Sequence, residues 1–177
     1  SYDIASRISY GLWDSLPDNA LLQAAAEQKL ATPEEIAAQA ERMVNDLRTR
    51  SKVREFLLQW LRVDRTAEVS KDSQLFPQFS PEIASDLRTS LELFLEDVVW
   101  TDSSDFRRLF LEEDLYLNGR LAKFYGADLP EDAGFQKIKV DESVRAGLLT
   151  HPYLMAVFAY TAASSPIHRG VFLSRGV

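Results

Sequence analysis

The 177-residue chain contains no cysteine, which removes thiol nucleophiles, thiolate metal centres and a c-type haem attachment motif from these residues. Histidine is scarce: His151 and His168 are the two present, and neither Glu-x-x-His nor His-x-x-x-His spacing occurs. With 7 glycines, the chain has no Gly-rich phosphate loop, no Gly-x-Ser-x-Gly elbow and no Ser-x-x-Lys, and it lacks the Asp-x-Asp-x-Asp-Gly of a calcium loop. No apolar run approaches the roughly 20 residues that cross a bilayer. Ser1 opens directly into a helical pattern rather than a charged and then apolar leader.

What is present is ordinary for a folded domain: 46% hydrophobic, 27% charged and 11% aromatic residues. A chain of this length buries about two thirds of its unfolded surface and needs no disulfide or metal to hold a core. Apolar residues recur at helical spacing along most of it, beginning with Ile4, Ile8, Leu12 and Trp13. Asp18 precedes an Ala-rich second helix. Thr32, Pro33 and Glu35 form a capping box for a third, with Ile36, Ala40, Met43, Val44 and Leu47 on its apolar side. Ser51 is the expected cap of a fourth helix carrying Phe56, Leu57, Trp60 and Leu61.

Residues 62–79 break the pattern and read as a long connector pinned by its aromatic residues. Ser80-Pro81 opens a long helix, Ser104 or Asp105 a short one through Phe106 and Phe110, and Asn118 another that Gly126 closes. Phe135–Val140 alternates as a short strand does, Gly147 marks a turn, and Ser165-Pro166 starts the last helix. The expected fold is therefore all-α, an irregular bundle of about eight or nine helices with at most a short β hairpin. Trp13, Trp60, Phe94, Phe106, Phe110 and Phe124 occupy apolar helical positions and read as core. The amphipathic run of Ile167, Val171 and Phe172 continues almost to Val177, as in a piece of a longer chain.

Charge is uneven. The net charge is −7, and residues 82–114 hold ten acids against Arg88, Arg107 and Arg108. A protein of this charge repels phosphate backbones, which sets nucleic acid aside as a partner. Its acidic stretch attracts a basic partner or a hard cation, and the plainer reading is that these acids are the solvated faces of two helices. Candidate partner-binding residues are Glu92, Glu96, Asp97, Glu112, Glu113 and Asp114.

Local words along the chain are more specific. Ile4 to Asp18 with Leu21-Leu22, then Arg42-Met43, Gln59-Trp60-Leu61, Leu75-Phe76-Pro77, Phe94 and Asn118 to Gly126 resemble a bacterial domain family of unknown function. That family is typical of large secreted proteins of planctomycetes that carry c-type cytochrome segments. Arg145 to His151 and Thr161 to Gly170 are similar to the opening of a second uncharacterised family that follows the first in such proteins. The resemblance implies a helical domain over 1–126 and the first part of a second helical segment over 127–177. It also implies an exported, periplasmic or cell-envelope location. The chain departs from the family in having Ser90 where an acid is expected before the Glu-Leu-Phe word.

Two functions follow as expectations. One is a non-catalytic scaffold that positions a c-type haem segment of the same polypeptide, or a basic redox protein. The haem would attach downstream of Val177, with His168 and Arg169 at the joint and Arg169 clamping a propionate or carboxylate. The other is part of an enzyme acting on a polysaccharide or other polymer, with His151 and His168 in one site.

Overall fold

A computed structural model describes residues 1–63, 69–101, 104–139 and 145–176. Asp102 of the acidic run, Val140 at the end of the expected strand, and Val177 lie outside the described residues, as do 64–68 of the connector. In chain order the elements are α1 (Tyr2–Trp13), α2 (Asn19–Ala26), α3 (Pro33–Val44), α4 (Leu47–Trp60), α5 (Pro81–Trp100), α6 (Arg108–Leu111), β1 (Asp114–Leu117), α7 (Gly119–Tyr125), β2 (Gln136–Lys139), α8 (Pro152–Val157) and α9 (Pro166–Gly176). A 3-10 turn over Leu148–Thr150 precedes α8. The class is all-α with one small antiparallel β pair, in which Asp114 faces Lys139 and Leu117 faces Gln136. Helix α7 lies between the two strands in sequence.

The helix starts follow their side chains. Thr32 Oγ1 accepts the Glu35 N–H at 3.3 Å and Glu35 Oε2 accepts the Thr32 N–H at 3.1 Å, closing the capping box. Asp18, Ser80 and Asn118 accept from the third residue beyond them at 2.9, 3.3 and 2.9 Å. Gly126 ends α7 at φ 74°, a conformation glycine takes without penalty.

The fourth helix corrects the expectation. It begins at Leu47, one turn before Ser51. The cap is Asp46, whose Oδ1 accepts the Arg48 N–H at 2.9 Å, and Leu47 is exposed rather than part of the α3 stripe. An Asn-Asp pair after Val44 supplies the turn chemistry there.

Packing groups the chain into two compact units, Ser1–Leu57 and Leu58–Val177. The expected partition into 1–126 and 127–177 rests on sequence resemblance, whereas these units rest on packing. In the first unit Ala5, Trp13, Leu21, Ala24, Ala25, Leu30 and Met43 form the core. Trp13 donates its indole N–H to the Met43 carbonyl at 3.0 Å, and the Arg48 guanidinium lies 3.4 Å from the ring centre.

The second unit is built around α5, which buries Ile83, Leu87, Leu91, Phe94, Leu95 and Val98. Each such side chain, fully buried, adds roughly 1.5–3 kcal/mol of apolar transfer. Phe106 is not core: it is 61% exposed, in the turn before α6, with Trp60 and Phe110 rings at 6.4 and 5.7 Å. Helix α6 is one turn long and begins too late to carry Phe106 inward. The described part of the connector is tied down by Lys71, which donates to the Ala156 and Tyr160 carbonyls at 2.8 and 3.0 Å, and by an Asp72 N–H bond to Thr161. Of its aromatic residues, Phe79 packs edge-on against Phe124, while Phe76 is exposed.

Candidate functional site

The first turn of α9 is positioned by Ser165, which is buried, accepts the His168 N–H on its hydroxyl at 3.3 Å and the Arg169 N–H on its carbonyl at 3.2 Å. Successive residues on a helix point about 100° apart, so His168 and Arg169 leave the backbone in different directions. The His168 ring is exposed and stands 5.0 Å from the Tyr160 ring. Arg169 is half-buried and folds toward α8, with Nη1 3.5 Å from Met155 Sδ and a buried Nε that has no partner. Ile167 and Val171, 74% and 41% exposed, lie one turn apart on the outer side of α9.

His151 behaves differently. Only 1% exposed, it is the N-cap residue of α8: its Nδ1 accepts the Tyr153 N–H at 3.3 Å, and its Nε2 lies 3.5 Å from the Ser90 hydroxyl. A ring nitrogen that accepts from a backbone N–H carries no proton, so the proton of the neutral imidazole sits on Nε2. Burial, with the Arg145 cation nearby as a smaller cause, pushes the imidazole down to about 3. The two histidines thus occupy different surroundings, Ser90 and Phe94 for His151 and Tyr160 for His168.

The acidic stretch is internally partnered. Arg108 donates to Asp97 and to Glu112 at 2.7 Å each, and Lys137 reaches Asp97, Asp114 and Glu112 at 3.0, 3.2 and 3.5 Å. Burial pushes the Asp97 carboxyl up, and the Lys137 and Arg108 hydrogen bonds and charges outweigh it, leaving the group below its ordinary value. Lys139 pairs with Glu113 at 2.7 Å and Arg88 with Glu92 at 3.1 Å. Glu96 is also engaged within the chain. Among the described residues, no group of three or more His, Cys, Asp and Glu converges to hold a metal ion.

Sequence reading missed one buried acid. Asp86 receives Arg120 Nε and Nη2 at 2.7 and 2.9 Å. Burial raises its carboxyl and the Arg120 and Asn118 hydrogen bonds lower it, with a net shift downward. The two residues are 34 apart in sequence, and an acid on an amphipathic helix carries no sign of which distant base it will meet.

Within the first unit, words that carry the family resemblance meet in space, and in the second unit the Asn118–Gly126 word is anchored by its own cap and by Asp86. Trp13 bonds to Met43, and Asp18 pairs with Arg42 at 2.8 and 3.1 Å. Asn118 caps α7, and Arg120 pairs with Asp86. Gly119 is buried where a Cβ would strike the Pro130 and Glu131 carbonyls. These are fold-building contacts. Residues 1–127 match the family PSD4, described as a protein of unknown function (DUF1592). The chain belongs to that family. No curated protein and no solved structure matches it. The DUF1592 match covers α1 to α7, so the first turn of α9, with His168 and Arg169, lies beyond it.

Proposed function

We propose that this chain is a non-catalytic helical scaffold and interaction module of an exported c-type cytochrome-associated protein, of the kind found in planctomycetes, at the periplasm or cell envelope. The observation that carries this reading is the outer side of α9. Ile167 and Val171 present an apolar strip to solvent, with His168 beside it, on a helix whose start is fixed by a buried serine. Exposed apolar positions at one-turn spacing are what a partner segment covers. In this reading a haem-bearing segment of the same polypeptide, or a basic redox protein, packs on that strip. His168, beside the strip, offers the joint a polar contact, whereas Arg169, expected from the sequence to clamp a propionate or carboxylate, turns toward Met155 on the other side of α9 and takes no part in packing on the strip.

The acidic stretch contributes to such docking as a field more than as free carboxylates, because its acids already have partners. The enzyme alternative, with His151 and His168 in one site, draws no support from the placements of the two rings. His151 is buried with both nitrogens engaged, and His168 faces solvent and Tyr160.

The deciding experiment is an absorption spectrum, oxidised and reduced, of a version extended past Val177 and made in a host that attaches c-type haem, beside the 177-residue chain. A redox-active haem band in the extended version, perturbed by Ile167→Glu or Val171→Glu, is the expected result. No haem in either version overturns the redox reading and leaves a structural module of other purpose. Association with a cationic cytochrome at low salt tests the electrostatic part. Neutralising Glu92, Glu96 and Glu113 to Gln should weaken it, and unchanged binding removes that part.

A further inference from the structure

Helices α8 and α9 enclose a groove of about 480 Å³ lined by Leu154, Met155, Phe158, Phe172, Leu173 and Arg169 among others. Its size falls in the range of small-molecule sites, roughly 300–1,000 Å³. The Phe158 and Phe172 rings stack at 4.4 Å and give it an aromatic wall. No residue of the lining is acidic.

The cation in this groove is under-satisfied. Arginine stays charged in proteins and offers five N–H donors. Arg169 uses one, on a thioether sulfur that is a weak acceptor, and its Nε is buried without a partner. The chain has 27 acids, yet among the described residues none pairs with Arg169. An apolar groove with one uncompensated guanidinium at its wall calls for one negative charge on an apolar body. A dianion would bring a second charge with no counterpart in the lining, and a neutral apolar molecule would leave the guanidinium as it is.

We propose that this groove binds a small amphipathic monocarboxylate, such as a medium-chain acyl carboxylate. Its chain lies along Leu154, Phe158 and Phe172, and its carboxylate takes the place of Met155 Sδ as acceptor for Arg169. Ile167 and Val171 stand on the opposite side of α9 from Arg169 and Leu173 by helical spacing. The groove is therefore separate from the strip read above as a partner surface, and this inference does not rest on the haem reading.

The test uses the 177-residue chain and three probes, decanoate, decanol and acetate, with binding followed by calorimetry or displacement of a fluorescent apolar dye. Decanoate should bind about tenfold or more tighter than decanol, as a charge-assisted hydrogen bond in a part-buried site allows, and acetate should not register. Arg169→Met should bring decanoate down to the decanol level and leave decanol unchanged, while Arg169→Lys keeps part of the preference. Leu173→Glu, at an exposed rim position, should abolish both. Thermal unfolding followed by circular dichroism checks that each variant folds. Equal affinity for decanoate and decanol in the parent chain, a preference that survives Arg169→Met, or no binding of either overturns the proposal. So does a dimer, seen by sedimentation and dispersed by Leu173→Glu, because a second copy would then be the occupant.

Discussion

His151 and Ser90, 61 residues apart in sequence, bring an imidazole Nε2 and a hydroxyl to 3.5 Å in the interior of the second unit. The ring is held neutral there, at about 3, whereas in the unfolded chain it titrates near 6.5. Between those values the unfolded state binds more protons, so stability falls as pH falls. Below the folded value both states are protonated and the contribution stops changing. His151→Asn keeps a side-chain acceptor for the Tyr153 N–H and removes the titration. Denaturant unfolding at pH 6.5 and pH 4.5 should show the parent chain losing stability more steeply than the variant, by up to ~1.4 kcal/mol per pH unit. Parallel losses would mean that the imidazole is not held neutral.

Ser90→Asp reverses the sign of that environment. The new carboxylate would stand at the Nε2 side of the ring, and an opposite charge at such a distance favours the protonated imidazole. The His151 titration, followed by NMR of the ring protons, should move upward from about 3. An unchanged titration would mean that position 90 does not govern His151. The variant also asks whether a charged pair can replace the neutral Ser–His contact.

Local signals were legible in the sequence, and distant ones were not. Thr32, Ser80 and Asn118 cap the helices they were expected to cap, because an N-cap bond spans three residues and is written in the local order of side chains. Ser51 misled because Asp46 offers the same chemistry five residues earlier, and propensity does not rank the two. Strand β1 went unseen. Its four residues alternate too briefly to signal, and its partner β2 lies beyond an intervening helix. Phe106 shows the limit of periodicity, which marks a helical position without showing that the helix has started. The sequence offers Arg169 as a clamp for a propionate or carboxylate and gives no sign that it meets Met155, because packing decides what a guanidinium meets fourteen residues away.

Gly147 marks a second kind of constraint. Its φ is 58°, and a Cβ there would strike the backbone of Phe110 at the end of α6. Its N–H donates to the Glu112 carbonyl at 2.7 Å, which fixes the close approach. Gly147→Ala combines a left-handed backbone penalty with an overlap that no rotamer relieves. A loss of about 3 kcal/mol in denaturant unfolding is expected. Gly134→Ala, with open space around its Cβ and no positive φ, serves as the comparison and should be near neutral. Equal effects at the two positions would contradict the close approach to Phe110.

Lys137 pairs with three carboxylates, Asp97, Glu112 and Asp114, and Arg108 pairs with the first two of them. Lys137→Met removes one positive charge from a cluster of three negative ones, leaving Asp97, Glu112 and Asp114 to repel one another around a single guanidinium. The cluster is partly solvated, so screening limits the cost to about 1–2 kcal/mol at pH 7. In the parent chain the lowered Asp97 carboxyl contributes stability above its unfolded value, and that contribution is lost as pH falls through the folded value. In the variant the carboxyl titrates higher and contributes less. The two stability profiles should therefore converge as pH drops through the carboxylate range, and the gap at pH 7 should shrink in high salt. Adding Asp97→Asn to Lys137→Met should recover part of the loss, because the remaining charges are then better balanced. A gap that is independent of both pH and salt would mean that Lys137 acts through the packing of its aliphatic stem on β2 rather than through its charge.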